Sequence, residues 1–101
     1  MAKKSLTRRN KKRERISLLL REKRKKLISI ASDENILFEA RLAAQTKISE
    51  MPRDASYTRQ RRRCGLTGRP RGNLRKFGMS RIAVRELASW GQIPGLIKSS
   101  W

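Results

Sequence analysis

Eight cations stand within eighteen residues of this chain: Arg59, Arg61, Arg62, Arg63, Arg69, Arg71, Arg75 and Lys76. Seven are arginines, whose planar guanidinium can take one phosphate through two hydrogen bonds or lie flat on a base. Gly65, Gly68 and Gly72 fall between them, and glycine lets a backbone approach a sugar–phosphate chain closely. So many like charges repel one another unless anions lie among them. The chemistry this pattern serves is the gripping of a dense polyanion, nucleic acid first. Phosphate contacts would fix position, and with RNA the shape and the 2′-hydroxyls add selectivity. Lys11, Lys12, Arg13, Arg53, Arg81 and Arg85 extend the candidate set on either side.

Catalysis has little to stand on. The chain has no His and so no imidazole base. Asp33 and Glu34 are its only adjacent carboxylates, and helix capping explains them better than acid–base work. Asp54, the lone acid of the Arg-rich segment, is expected to pair with a neighbouring Arg or to cap a turn. Cations beside Cys64 would acidify its thiol, but without a His or a second Cys it reads as a small buried packing residue. A single thiol makes neither an internal disulfide nor a Cys/His zinc site. Gly65 and Gly68 lack the Gly-Lys-Ser/Thr ending of a phosphate-cradling loop. No catalytic residue, metal, cofactor or small-molecule substrate is expected.

The elements that must position these residues follow from the rest of the chain. Lys11 to Ile30 is free of Gly and Pro and rich in Arg, Lys, Leu and Glu, which predicts helix. The basic run Lys23 to Lys26 interrupts its apolar positions, so two helical pieces or one bent helix are expected. Ser32 or Asp33 reads as an N-cap and Pro52 as a stop, which defines a second helix of about Glu34 to Glu50. Its residues Leu37, Ala40, Ala44, Ile48 and Met51 form one apolar stripe. From Pro52 to Gly78 glycines and prolines break every long element, leaving short ribbons around Arg61 to Cys64 and Leu74 to Phe77. Ser80 caps a short third helix with Ala83, Val84, Leu87 and Ala88 as its buried face, and Gly91 ends it. Phe77 is expected to anchor that helix, and Trp90 and Trp101 to pack against protein.

Charge is distributed unevenly over the 101 residues, whose 27 Lys and Arg against 8 Asp and Glu leave +19. Residues 1–28 carry 13 basic and 2 acidic side chains, residues 29–52 carry 2 and 4, residues 53–85 carry 11 and 1, and residues 86–101 carry 1 and 1. Two basic segments thus flank a mildly acidic one, with a neutral tail, which suggests two surfaces for nucleic acid and two for protein. Lys outnumbers Arg by eight to seven in residues 1–50, whereas residues 51–101 hold ten Arg and two Lys. The second segment should make the geometrically defined contacts and the first the diffuse ones. Leu, Ile, Val and Phe total 22 residues, close to the roughly 20% below which a highly charged chain stays disordered. The expected fold is mainly α: three or four short helices, extended basic arms, a Gly/Pro-rich loop and a small core that orders on RNA. Residues 1–52 form a basic helical arm plus an acidic helix, residues 53–101 the Arg-rich loop, short helix and apolar tail, and the two act as a single functional unit.

The longest uncharged run, Leu87 to Ile97, has eleven residues and includes Gly91, Pro94 and Gly95, too short and too broken for a bilayer span. Residues 1 to 15 are nearly all polar or basic and do not read as a secretory signal. Thr67-Gly68-Arg69-Pro70-Arg71-Gly72 overlaps the Gly-Arg-Pro core that some chromatin proteins place in the minor groove of A·T-rich DNA, so an architectural DNA-binding protein is the alternative reading. A membrane-surface role for Lys11 to Ile30 is weaker, because its apolar residues are interrupted. A presequence reading of residues 1–28 is opposed by Glu14 and Glu22. The aromatics are too few and too scattered for a base-stacking sheet.

At Met1-Ala2-Lys3-Lys4-Ser5, Pro52-Arg53-Asp54-Ala55-Ser56, Arg63-Cys64-Gly65-Leu66-Thr67-Gly68-Arg69-Pro70-Arg71-Gly72, Arg75-Lys76-Phe77-Gly78-Met79-Ser80-Arg81-Ile82 with Arg85, Gly91-Gln92-Ile93-Pro94-Gly95-Leu96 and Lys98-Ser99-Ser100-Trp101, the chain resembles the family of small-ribosomal-subunit protein fourteen, in its longer bacterial and organellar form. The resemblance spans essentially the whole chain and is most specific from Arg63 onward. It implies a structural constituent of the small subunit, in a bacterial cytoplasm or an organelle. Such a protein holds ribosomal RNA in the subunit head, helps its assembly near the decoding region and neighbours other head proteins. Short members of the family bind zinc through two Cys-x-x-Cys pairs. That pattern would need Cys at Arg61, Ser80 and Ala83 beside Cys64, so the resemblance implies that apolar packing around Phe77, Ile82 and Ala83 replaces the metal here.

Overall fold

The computed structural model describes residues 1–97 and Ser99. Its first element, α1, runs Lys4–Ser32 without a break. At 1.5 Å per residue it is about 43 Å long, and no Gly or Pro occurs before Pro52 to interrupt it. Of the two expected forms, two separate pieces do not occur, because strong helix-forming side chains outweigh like-charge neighbours that cost only ~0.2–0.5 kcal/mol per pair. α1 ends where the Asp33 carboxylate accepts the Asn35 backbone N–H at 3.0 Å, a turn that competes with helix. For that reason α2 runs Phe38–Glu50 rather than from Glu34, and Leu37 caps it without a side-chain hydrogen bond. Two single-turn 3-10 helices follow, Arg53–Ala55 and Tyr57–Arg59. A two-residue ribbon pairs β1 (Asn73–Leu74) antiparallel with β2 (Met79–Ser80), in register Asn73 with Ser80 and Leu74 with Met79. No strand forms at Arg61 to Cys64. The Ser80 hydroxyl accepts the Ala83 N–H at 3.2 Å and starts α3 (Arg81–Ser89) as expected.

Most of the described residues are helical. Contacts divide the chain into two compact units. One comprises residues 8–60, with Ala44 and Ala55 as its buried apolar residues. The expected stripe on α2 is buried only in part: Ala44 is inside and Ile48 and Met51 are half-buried, while Leu37 and Ala40 face solvent. The other unit joins residues 1–7 to the described residues from Arg61 onward. Its buried apolar residues are Cys64, Ala83 and Val84, around the buried Ser80. Leu87, Ala88 and Phe77 are half-buried. Ile82 is exposed and does not supply the packing expected of it, while Trp90 is exposed and open to another protein; Trp101 lies outside the described residues. These small buried side chains confirm that the apolar interior is slight. Among the described residues no helix is long and apolar enough to cross a membrane.

Candidate nucleic-acid interface

The Arg-rich segment is held by hydrogen bonds that the local sequence dictates only in part. Between Cys64 and Arg69 the chain folds into a tight turn: the Gly68 N–H donates to the Cys64 carbonyl at 2.9 Å, and the Cys64 N–H to the Arg69 carbonyl at 3.0 Å. Gly68 has φ +73°, where a Cβ is strained. A Cβ there would also meet Ala2 Cβ and Thr7 Oγ1, each at 3.1 Å. The N-terminal turn of α1 is docked on this spot, with the Ala2 N–H donating to the Thr67 carbonyl at 3.0 Å. From the ribbon, the Asn73 side-chain amide donates to the carbonyls of Arg62 and Arg69, at 2.9 and 2.8 Å. The Gly65 and Arg81 N–H groups donate to Gly78 and Gly72 at 3.1 and 2.8 Å.

Three arginines of the candidate set turn back onto this frame. Arg61 donates to the Pro70 carbonyl at 2.9 Å, Arg63 to Gly68 at 2.9 Å and Arg69 to Arg71 at 3.1 Å. Each guanidinium thus commits a donor to the shape of the turn while keeping its positive charge. Arg62, Arg71, Arg75, Lys76, Arg81 and Arg85 are exposed in the same unit, and Lys76 Nζ lies 6.0 Å from the Phe77 ring centre. Lys11, Lys12, Arg13, Arg53 and Arg59 belong to the other unit. There Asp54 does pair with arginine: Arg59 Nη1 is 3.0 Å from its Oδ1, and Arg13 Nε is 3.5 Å from the same atom, an ionic contact rather than a hydrogen bond. Asn73 was not among the residues the sequence singled out, because its partners lie four and eleven positions away and nothing local marks them.

Cys64 is buried, as expected of a packing residue. Burial pushes its thiol up, but the Thr67 hydroxyl and the N–H groups of Thr67, Ser80 and Leu66 surround the sulfur and bring it down to about 6. Arg61, Ser80 and Ala83 supply no thiolate, and Cys64 alone cannot complete a tetrahedral zinc site. Ser80 and Ala83 are instead buried with Cys64, an arrangement fixed by the α3 cap.

The Gly-Arg-Pro segment does not present itself as a minor-groove arm. Gly68 is buried against the N-terminal turn, and Arg69 is drawn to the Arg71 carbonyl.

Against known families, residues 47–100 match the model described as "Ribosomal protein S14p/S29e", and full-length relatives agree. The chain belongs to this ribosomal protein family. It is 59% identical to the "Small ribosomal subunit protein uS14" of Anaplasma phagocytophilum over 101 residues, the whole of both chains. The proteins of the same description from Ehrlichia ruminantium (strain Welgevonden) and Methylorubrum populi are 54% and 52% identical, again over the whole of both chains. The family match begins within α2 and takes in the Arg-rich turn, the ribbon and α3. The segment with the most defined hydrogen-bonded frame is thus the segment that the family model covers.

Proposed function

We propose that this protein is a structural constituent of the small ribosomal subunit, without catalytic activity, that binds the subunit's RNA. Within that reading, residues 53–101 make the fixed contacts and residues 1–52 the diffuse ones, the two acting as one functional unit. Arg61, Arg62, Arg63, Arg69, Arg71, Arg75, Lys76, Arg81 and Arg85 form the principal RNA-binding set, joined by Lys11, Lys12, Arg13, Arg53 and Arg59. The site lies in the head of the subunit near the decoding region, beside other head proteins. One observation carries this reading: exposed arginines stand on a loop whose backbone is locked by Asn73 and by the returning guanidiniums. A locked loop presents cations in one geometry, as a folded RNA requires and a mere counterion cloud does not. With so little apolar interior, the chain gains order from RNA, which offsets an ordering cost of roughly 1–2 kcal/mol per backbone residue.

Sedimentation of cell lysate at moderate salt tests the assignment. Co-migration with the small subunit is the expected outcome; a protein found only in free fractions refutes it.

A further inference from the structure

Within the unit of residues 8–60, α1 and the segment 55–60 enclose a groove of about 880 Å³ that the Arg-rich turn does not share. Its α1 wall includes Lys11, Arg15, Leu18, Arg21, Lys25 and Ile28. Their steps of four, three, three, four and three place them on one helix face. Two cationic pairs therefore flank an apolar saddle at Leu18, with pair centres about 15 Å apart along the axis. The opposite wall carries Ala55 and Tyr57. Asp54 ties the walls together, since it pairs with Arg13 on α1 and with Arg59 beside Tyr57. The one carboxylate lining the groove, Glu14, already accepts the Asn10 side-chain amide at 2.7 Å. Leu18 and Tyr57 are left 69% and 76% exposed, so apolar and aromatic surface is offered where the flanking charge is positive.

We propose that this groove binds unpaired nucleotides of RNA, with a base against Tyr57 and Leu18 and the adjoining phosphates on the two cationic pairs. The proposal rests on the ribosomal reading and deepens it by naming a second contact and its ligand class. A duplex would leave the floor unused, because its base faces are already stacked and it presents phosphate at its surface. A single strand offers a π-face to the aromatic ring and phosphates to the rim together. A cationic peptide is repelled by the rim, and an acidic one has no need of an aromatic wall.

The test uses reconstituted small subunits. Co-sedimentation of the unaltered protein is scored first, so that failure to enter the subunit counts against the ribosomal reading itself. Where it enters, Tyr57→Phe should retain affinity for the RNA-containing particle, and Tyr57→Ala should lose roughly five- to a hundredfold. A benzophenone amino acid at position 57 should cross-link to an unpaired nucleotide. In parallel, base-specific probing of wild-type, Tyr57→Phe and Tyr57→Ala particles should show a base protected in the first two and exposed in the third. Cross-links to a neighbouring protein or to base-paired RNA, or equal affinities and identical protection for the Phe and Ala variants, would overturn the groove assignment while leaving the ribosomal reading intact.

Discussion

Replacing Gly68 and Gly78 by Ala, one at a time, separates backbone strain from docking of the N-terminal turn. Both residues have positive φ, +73° and +64°, and a Cβ in that region costs roughly 1–2 kcal/mol. At Gly78 nothing lies within 4 Å of the added carbon, so strain is the whole effect. At Gly68 the carbon meets Ala2 Cβ and Thr7 Oγ1 at 3.1 Å. Relieving this contact moves the N-terminal turn and strains the Ala2-to-Thr67 hydrogen bond, a further cost of about 1–2 kcal/mol with the packing around it. The totals are about 1–2 kcal/mol for Gly78→Ala and about 2–4 kcal/mol for Gly68→Ala. Because ordering is coupled to binding, these appear as losses of RNA affinity: roughly five- to thirtyfold against roughly thirtyfold to several hundredfold. Gly65→Ala, whose nearest contact is an ordinary 3.6 Å without positive φ, serves as the control and should be nearly neutral. Filter binding of the three variants to small-subunit RNA at one salt concentration reads the series. Equal losses at positions 68 and 78 would refute the claim that the N-terminal turn is docked on the Arg-rich loop.

Other outcomes follow from the same frame. Arg62→Glu or Arg71→Glu should weaken subunit reconstitution more than Lys3→Glu or Lys4→Glu, since the first pair stands on the locked loop; equal effects would refute the ranking. Affinity for RNA should fall steeply with salt through counterion release, and a flat profile in a titration would contradict phosphate binding. The Cys64 thiol lies at about 6, below its ordinary 9.0, so the thiolate's stabilisation is complete above about pH 9, shrinks as pH falls and is gone below about 6. Amide-exchange protection of the Arg-rich turn in the RNA complex should therefore rise from pH 6 to 9, after correction for the intrinsic exchange rate, and Cys64→Ala should flatten that rise. Ser80→Ala removes the α3 cap and should cost about 1 kcal/mol in thermal unfolding of the complex; no change in melting would deny the cap its role.

What could be read from the sequence is what local chemistry decides. Ser80 followed by an apolar face announced α3, and the cap bond is there. Asp33 was read as a helix-starting acid, yet it closes a turn onto Asn35; both roles use the same short carboxylate, and local sequence does not choose between them. α1 was expected from Lys11 and starts at Lys4, because its first turn is held by Thr67, sixty-five positions from Ala2. The cationic set was legible as composition, but not its division into guanidiniums that return to carbonyls and guanidiniums that face outward. That division depends on where Pro70, Gly68 and Arg71 place their carbonyl oxygens, which is a property of the folded turn.

The same turn explains how a chain with so small an interior can hold a specific interface. Ser80 pairs with Asn73 in the ribbon, caps α3 with its hydroxyl and directs its N–H to the Cys64 sulfur. Asn73, opposite it, bonds the carbonyls of Arg62 and Arg69. One two-residue ribbon thereby links the helix, the thiol and the backbone that carries the arginines. Its side-chain donors and the α3 cap bond within the fold, so once the chain is ordered on RNA the loop holds one geometry in which RNA neutralises the guanidiniums. Loss of Asn73 should accordingly lower binding even though its side chain bears no charge, with the salt dependence unchanged because no phosphate contact is deleted. A smaller salt slope for Asn73→Ala than for the wild type would instead place that side chain among the groups that order phosphate contacts, and the distinction drawn between frame and grip would fail.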